Sequence, residues 1–330
     1  MSVRFTPPRN ERGAALLTVL LLVSVIAVIA ATSLDRLLLG ARLAGNASAV
    51  QQARAYMLSG EAIASSRIED LLAADAGTLS EQGGWNGITR SYAVPGGTIR
   101  ATLHDGNNCF NINGLVSQSE DGTLSANPVA AQQFNALLTM LDVPERERQW
   151  IVDGAIDWID SDTVRRPGGA EDSDYRAMPS AYLPPNRLMA HVSELRAVRG
   201  VSAESWTRMD KWFCALPVAE LSAINVNTLR PDQAPLLAMI APEAISVDDA
   251  RAYLAKRPIS GYGSIARFWS GGPMANVQPS ADVNAQPGIS SQWFRLELQV
   301  NIGDAEVNET ALIDASIRPA RVIWRNWGER

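Results

Sequence analysis

The sequence predicts an α+β fold: a long N-terminal helix packed on an antiparallel sheet, with a large, mostly α-helical domain inserted between early and late strands. Three observations predict it. An apolar run continues without proline into an amphipathic pattern, period-two segments occur near residue 100 and again near the C-terminus, and about 170 residues of helical periodicity separate them.

The helix comes first. Residues 13–33 carry no charge, and within residues 14–31 only Thr18 and Ser24 are polar. At 1.5 Å rise that stretch is roughly 27 Å long, close to the thickness of a bilayer core. Arg4, Arg9 and Arg12 precede it and Arg36 follows it. The positive-inside rule therefore places the leader in the cytoplasm and the remaining ~300 residues across the membrane. A secretory signal cut among residues 27–31 is the alternative, and it would release a soluble exported protein. Two features oppose it: the run exceeds the ~7–15-residue core of a signal peptide, and Gly13 precedes the run instead of following it. Beyond the run, apolar residues recur at Leu34, Leu37, Leu38, Leu43, Val50, Ala53, Met57, Ile63 and Ile68. One helix of about 60 residues is expected, its first half in lipid and its second half packed on a domain.

Strands are expected at residues 97–104, 293–300 and 309–317, where apolar and polar side chains alternate. Between them the period becomes helical, at 128–141, 145–159, 192–198, 202–212, 230–241, 247–256 and 264–270. The chain thus divides into a leader (1–13), a spanning helix (14–34), the rest of the helix with the first strands (35–105), an inserted helical domain (106–285, in halves of about 106–220 and 221–285) and closing strands (286–330).

Charge excludes one class of partner. The chain carries 29 basic and 35 acidic residues, and without Arg4, Arg9, Arg12 and Glu11 the balance is 26 against 34. Nucleic acid would be repelled overall. Residues 193–202 and the stretch after 224–228 resemble helix-hairpin-helix units, which grip phosphates at a Gly-hydrophobic-Gly turn. Here Ser202 replaces the second glycine, and the later copy has Ala241-Pro242-Glu243, so both read as packing units. His104 and His191 are the only histidines, and there is no Gly-x-Ser-x-Gly, Walker loop or zinc spacing. No catalytic residues and no enzyme activity are expected.

Cys109 and Cys214, the only cysteines, stand 105 residues apart. Outside the cytoplasm they would be oxidised, and a bridge closing so long a loop is worth ~4–5 kcal/mol in the chain-entropy model; two buried thiols are the alternative. Asp157, Asp160, Asp162, Glu171, Asp172 and Asp174 fall within 18 residues, interrupted by Pro167-Gly168-Gly169. Hard oxygen ligands suit calcium, while a solvated acidic loop explains the same composition. The spacing is not that of an EF-hand, because Val164 occupies the third ligand position. Trp324 and Trp327 read either as interface anchors or as ordinary edge-strand packing.

A basic leader ending in Gly13, an apolar start at Ala14 and an unbroken helix resemble the type IV pilin and type II secretion pseudopilin class. The resemblance implies cleavage after Gly13 by a prepilin peptidase and methylation of Ala14. Most members carry Glu at mature position five, where this chain has Thr18. In the class that Glu neutralises the N-terminal amine of the subunit above. A subunit with nothing above it has no amine to neutralise, and an unpaired carboxylate in lipid is costly, so Thr18 fits a filament tip.

Over its whole length the chain resembles the general secretion pathway protein K family, the minor pseudopilin K of the type II secretion system. The likeness rests on the leader, Thr18, Cys109-Phe110-Asn111-Ile112-Asn113, Asp157-Trp158-Ile159-Asp160-Ser161-Asp162 with Gly168-Gly169-Ala170-Glu171-Asp172, and Val192-Ser193-Glu194-Leu195. It implies a pilin-like head with a helical insertion. It implies a single-pass inner-membrane protein with a periplasmic domain, which sits with minor pseudopilins I and J at the pseudopilus tip, initiates assembly and caps the filament. It also implies a structural calcium, with Asp160, Asp162, Glu171 and Asp172 as side-chain ligands and Asp174 and Asn186 as further candidates. A minor pilin or adhesin of a type IV pilus, or a soluble periplasmic calcium-binding protein, are the alternatives.

Overall fold

With no proline from residue 9 to 94, nothing in the sequence interrupts the first helix, and α1 (Arg9–Ala74) runs unbroken for 66 residues. The computed structural model describes residues 9–74 and 77–328; residues 1–8 of the expected leader, Arg4 among them, lie outside the described residues. Residues 13–48 of α1 are exposed throughout, and the helix is long and apolar enough to cross a membrane. From there on the helix becomes one-sided. Ala53, Met57, Glu61 and Ile68 are buried at helical spacing, and at Gly60 the backbone comes so close to the sheet that an added Cβ would lie 3.1 Å from Leu298.

The sheet follows. After β1 (Thr89–Val94) and β2 (Gly97–Asp105), the chain leaves it and returns some 190 residues later as β9 (Trp293–Ile302), β10 (Ala305–Asp314) and β11 (Arg321–Trp327). The order is β1-β2-β9-β10-β11, antiparallel throughout. Phe294, Leu296, Leu298, Val300 and Ile302 of β9 alternate inward and meet α1, with Ala311 and Ile313 of β10 beside them. The turn joining β1 to β2 lies beside the part of α1 where it first meets the sheet, and there Gln52 and Tyr56 donate to Pro95 O, both at 3.3 Å. Exit and return of the insertion lie at the opposite end, where Asp105 pairs with Phe294 and Gly106 N donates to Trp293 O at 2.8 Å.

The inserted region has its own apolar core. It contains β3 (Phe110–Asn111), β4 (Val116–Gln118), β5 (Leu124–Ala126), α2 (Pro128–Met140), α3 (Glu145–Ile159), α4 (Asp172–Arg176), a 3-10 turn (Val192–Ala197), α5 (Ala203–Met209) and β6 (Phe213–Cys214). Then come β7 (Ile224–Asn225), α6 (Ala234–Ala238), α7 (Val247–Ala255), α8 (Ile265–Trp269), α9 (Ala281–Ala285) and β8 (Pro287–Gly288). Each half is tied at its root by a two-residue parallel pairing, β3 with β6 and β7 with β8. Buried asparagines work in the same way in both: Asn111 Oδ1 accepts from the amides of Asn113 and Leu216, and Asn225 Oδ1 from that of Asn227.

Several expected bounds are corrected. The stretch expected as a strand at 309–317 ends at Asp314, whose carboxylate turns back to accept from the amide and hydroxyl of Ser316 ahead of Pro319. Of residues 192–198, expected as helical, 192–197 form a 3-10 turn and Val198 is extended, and the helix expected at 230–241 breaks into a 3-10 turn (Pro231–Gln233) and α6, with Pro235 at its start. Strand β1 was not expected, and β11 was foreseen only as the edge strand that is one of two readings of Trp324 and Trp327.

Candidate metal centre

The acidic segment is built on α3. Its apolar face (Ile151, Val152, Ala155, Ile156, Ile159) enters the insertion core and leaves Asp153 and Asp157 buried one turn apart. Asp160 ends the helix, its amide donating to Ile156 O at 2.8 Å. Ser161 then ties the chain to β5 by reciprocal bonds with Leu124, each 3.0 Å. The loop folds back over α3 because two carboxylates hold its amides: Asp157 Oδ2 accepts from Arg166 N at 3.1 Å, and Asp153 Oδ2 from Gly168 N at 2.9 Å. Gly169 is required there, since a Cβ would collide with the Asp157 carboxylate.

This folding brings Asp160, Asp162 and Glu171 together, with one oxygen from each within 4.8 Å of the others. Asp160 and Glu171 are buried and Asp162 is exposed. Asp160 Oδ1, both oxygens of Glu171, Asp157 Oδ1 and Asn186 Oδ1 are buried without a hydrogen-bond partner. Arg166 Nε, 3.7 Å from Asp157 Oδ1, is the cation the salt-bridge geometry places beside that group. Burial, reinforced by the neighbouring carboxylates, raises Asp160 and Glu171 to about 7, and burial raises Asp157 to about 6. Oxygens that lack donors while crowded by like charge are what a hard cation satisfies.

The other expected ligands are placed differently. Asp172 pairs with Arg176 at 2.8 Å on the surface. Asp174 faces Arg165 at 3.2 Å and Arg199 at 3.0 Å, and accepts from Glu171 N at 3.2 Å. Both carboxylates thus frame the loop through ion pairs instead of joining the three. Asn186 adopts φ 46°, a left-handed backbone uncommon outside glycine, and its side-chain oxygen is among the orphans. Asp157, part of the same acidic run, is the residue of the cluster that the ligand expectation left out.

Elsewhere, Cys109 and Cys214 form a disulfide with Cα atoms 5.8 Å apart, beside the β3–β6 pairing. Thr18 donates to Ala15 O at 2.9 Å and Ser24 to Leu20 O at 2.8 Å, so both hydroxyls of the apolar run are satisfied within the helix. Gly13 and Ala14 lie within α1. Trp324 is half-buried and stacked on His191, and Trp327 is exposed with Arg54 5.3 Å from its ring centre.

Residues 108–218 and 224–290 match two family models, both described as type II secretion system (T2SS), protein K. Type II secretion system protein K of Pectobacterium carotovorum subsp. carotovorum is 32% identical over 97% of both chains, and that of Aeromonas hydrophila is 34% identical over 90% of both. The chain belongs to the type II secretion system protein K family. It is a minor pseudopilin, and a type IV pilus subunit or a soluble binding protein is not favoured by likeness that runs through helix, sheet and insertion alike. A solved chain from the GspK-GspI-GspJ complex of the enterotoxigenic Escherichia coli type 2 secretion system superposes with a TM-score of 0.74 at 29% identity, covering 85% of this chain and 97% of its own. The protein K family is a structural one, and the α+β, pilin-like architecture of α1 and its sheet agrees with it.

Proposed function

We infer that this chain stands in the inner membrane through residues 14–34 with its large domain in the periplasm, and forms the pseudopilus tip together with minor pseudopilins I and J. There it initiates assembly and caps the filament for protein secretion across the outer membrane. The observation that carries this reading is the polarity of the molecule. An unpacked apolar helix half lies at one end, free to join neighbouring helices through small residues such as Gly40, Ala41 and Gly45, and a bulky insertion sits at the other end, over the sheet. The assembly of the related chain with its I and J counterparts supports the choice of partners.

Processing by the prepilin peptidase removes residues 1–13 and leaves a methylated Ala14, with Thr18 at mature position five. Calcium supplies a charge that holds the acidic loop, with Asp160, Asp162 and Glu171 as side-chain ligands and Asn186 beside them; the buried, donorless oxygens support this. Intact mass of the membrane-extracted protein, with and without a prepilin peptidase, tests the pathway. Loss of residues 1–13 with one added methyl is expected, and cleavage near Ala31 would overturn it. If a form trimmed of residues ~105–285 still restrained pseudopilus length, steric capping would be wrong.

A further inference from the structure

The carboxylate cluster is linked to the far edge of the sheet by a continuous set of contacts. Trp158, two residues before Asp160 on α3, points its Nε1–H at Glu194 Oε2, 3.4 Å away. The other Glu194 oxygen accepts from the amides of Ala190 and His191, at 2.7 and 3.3 Å. His191 then lies flat on Trp324 of β11, with ring centres 4.9 Å apart and planes 15° from parallel. Trp324 is opposite Leu312, and the next residue, Arg325, reaches α1 to pair with Glu61. Side chains alternate along a strand, so Trp324 is on the sheet face away from α1, where the insertion reaches it. The segment from Asn186 to Glu194 therefore begins at an orphaned oxygen, touches the sheet through His191 and ends at Glu194 against Trp158.

We propose that residues 186–194 act as a strap through which cation occupancy of the cluster sets how firmly the inserted domain is held against β11. This rests on the calcium reading above. With a cation bound, Asp160, Glu171 and Asn186 converge, the end of α3 is fixed, and Trp158 holds Glu194 and the His191 amide in place. Without it, the two buried carboxylates repel, the end of α3 relaxes, and the ring stack on Trp324 loosens. Calcium then governs the mounting of the head on its sheet as well as the order of one loop.

Two roles of His191 separate by mutation. Its Nδ1 accepts from Ser193 N at 3.3 Å and so caps the 3-10 turn, while its ring face stacks on Trp324. His191→Asn retains a capping acceptor and loses the stack; His191→Phe retains the stack and loses the cap. The experiment is hydrogen exchange on the full chain in detergent, in calcium chloride and in chelator. Calorimetric titration with calcium chloride runs alongside, and the opposite edge strand, residues 89–94, serves as control. Chelation should raise exchange severalfold in 186–194 and in 321–327 but not in 89–94. His191→Phe should keep the response of 321–327, and His191→Asn should lose it while binding calcium as the wild type does. If the wild type binds calcium and its loop responds while 321–327 does not, the strap is wrong and the metal site stands. If the wild type binds no calcium, both fall.

Discussion

Removal of divalent cations should make the stability of this protein fall as pH rises from 5.5 to 7.5, opposite to the behaviour of ordinary salt-bridged carboxylates. In the folded chain burial and mutual repulsion lift Asp160 from 3.8 and Glu171 from 4.5 to about 7. A carboxyl that binds its proton more tightly folded than unfolded favours folding while it holds that proton. That contribution is full below the unfolded value near 4, declines as pH rises, and is gone above about 7. At ~1.4 kcal/mol per pH unit and proton, the interval from 5.5 to 7 removes about 2 kcal/mol for one group. The two groups are coupled, so the pair loses about 2–4 kcal/mol. For a domain of this size that lowers the melting midpoint by roughly 5–10 °C. Differential scanning calorimetry of the full chain in detergent and chelator, at pH 5.5, 6.5 and 7.5, reads it directly. Added calcium should restore the midpoint at pH 7.5 and flatten the profile, because the cation replaces the protons. A midpoint in chelator that is level or rises with pH would refute the account of the cluster as carboxylates held together against their charge.

Other expectations follow from the joints of the fold. Asp105 is buried and accepts from Thr228, Ser291, Asn225 and the Asn107 amide. Asp105→Ala orphans several of these donors and should cost about 2–4 kcal/mol in chemical denaturation. Replacing both cysteines by serine opens the 105-residue loop, and the midpoint should fall by the equivalent of up to ~4–5 kcal/mol; an unchanged midpoint would show that the β3–β6 pairing alone holds the root of the insertion. Gly60→Val drives a side chain into Leu298 and should cost about 1–3 kcal/mol by overpacking, measured by the same unfolding. Glu309 is buried against Glu61, and burial raises it above the usual carboxylate range. Glu309→Gln should therefore stabilise the sheet by about 1 kcal/mol at pH 8 and change little at pH 5, since only the charged form is unfavourable there.

What the sequence revealed depended on whether a segment's burial was periodic. Helix α1 and strand β9 were legible because each presents buried apolar residues at a regular spacing, and β2 because its half-buried Ile99, Ala101 and Leu103 alternate with polar residues. β1 was not, because none of its six residues is buried and its ladder with β2 leaves no alternation to read. β11 was legible only through Trp324 and Trp327, as one of two readings of that pair. On its α1 side the exposed Arg325 is held by the buried Glu61 through two 2.8 Å bonds, and a strand with no fully buried apolar residue shows little alternation in a hydrophobicity pattern. The acidic segment was legible as a cluster but not as a ligand set. Arg165, Arg199 and Arg176 decide which carboxylates are withdrawn, and their reach across the loop is a property of the folded chain alone. The Cys109–Cys214 bridge was legible because no other partner exists.

The exit and return of the insertion are adjacent, with Gly106 N bonded to Trp293 O. In topological terms the whole helical head occupies the place of a hairpin turn between two neighbouring strands of the sheet. A few residues spanning that gap would close β2 onto β9 and leave the sheet order untouched. Asn225, Thr228 and Ser291 would depart together, and Asp105 would return to water, where its charge is no burden. The head is thus a part set apart from the sheet and α1: apart from Thr18, what would distinguish a cap from a repeating unit grows out of one turn.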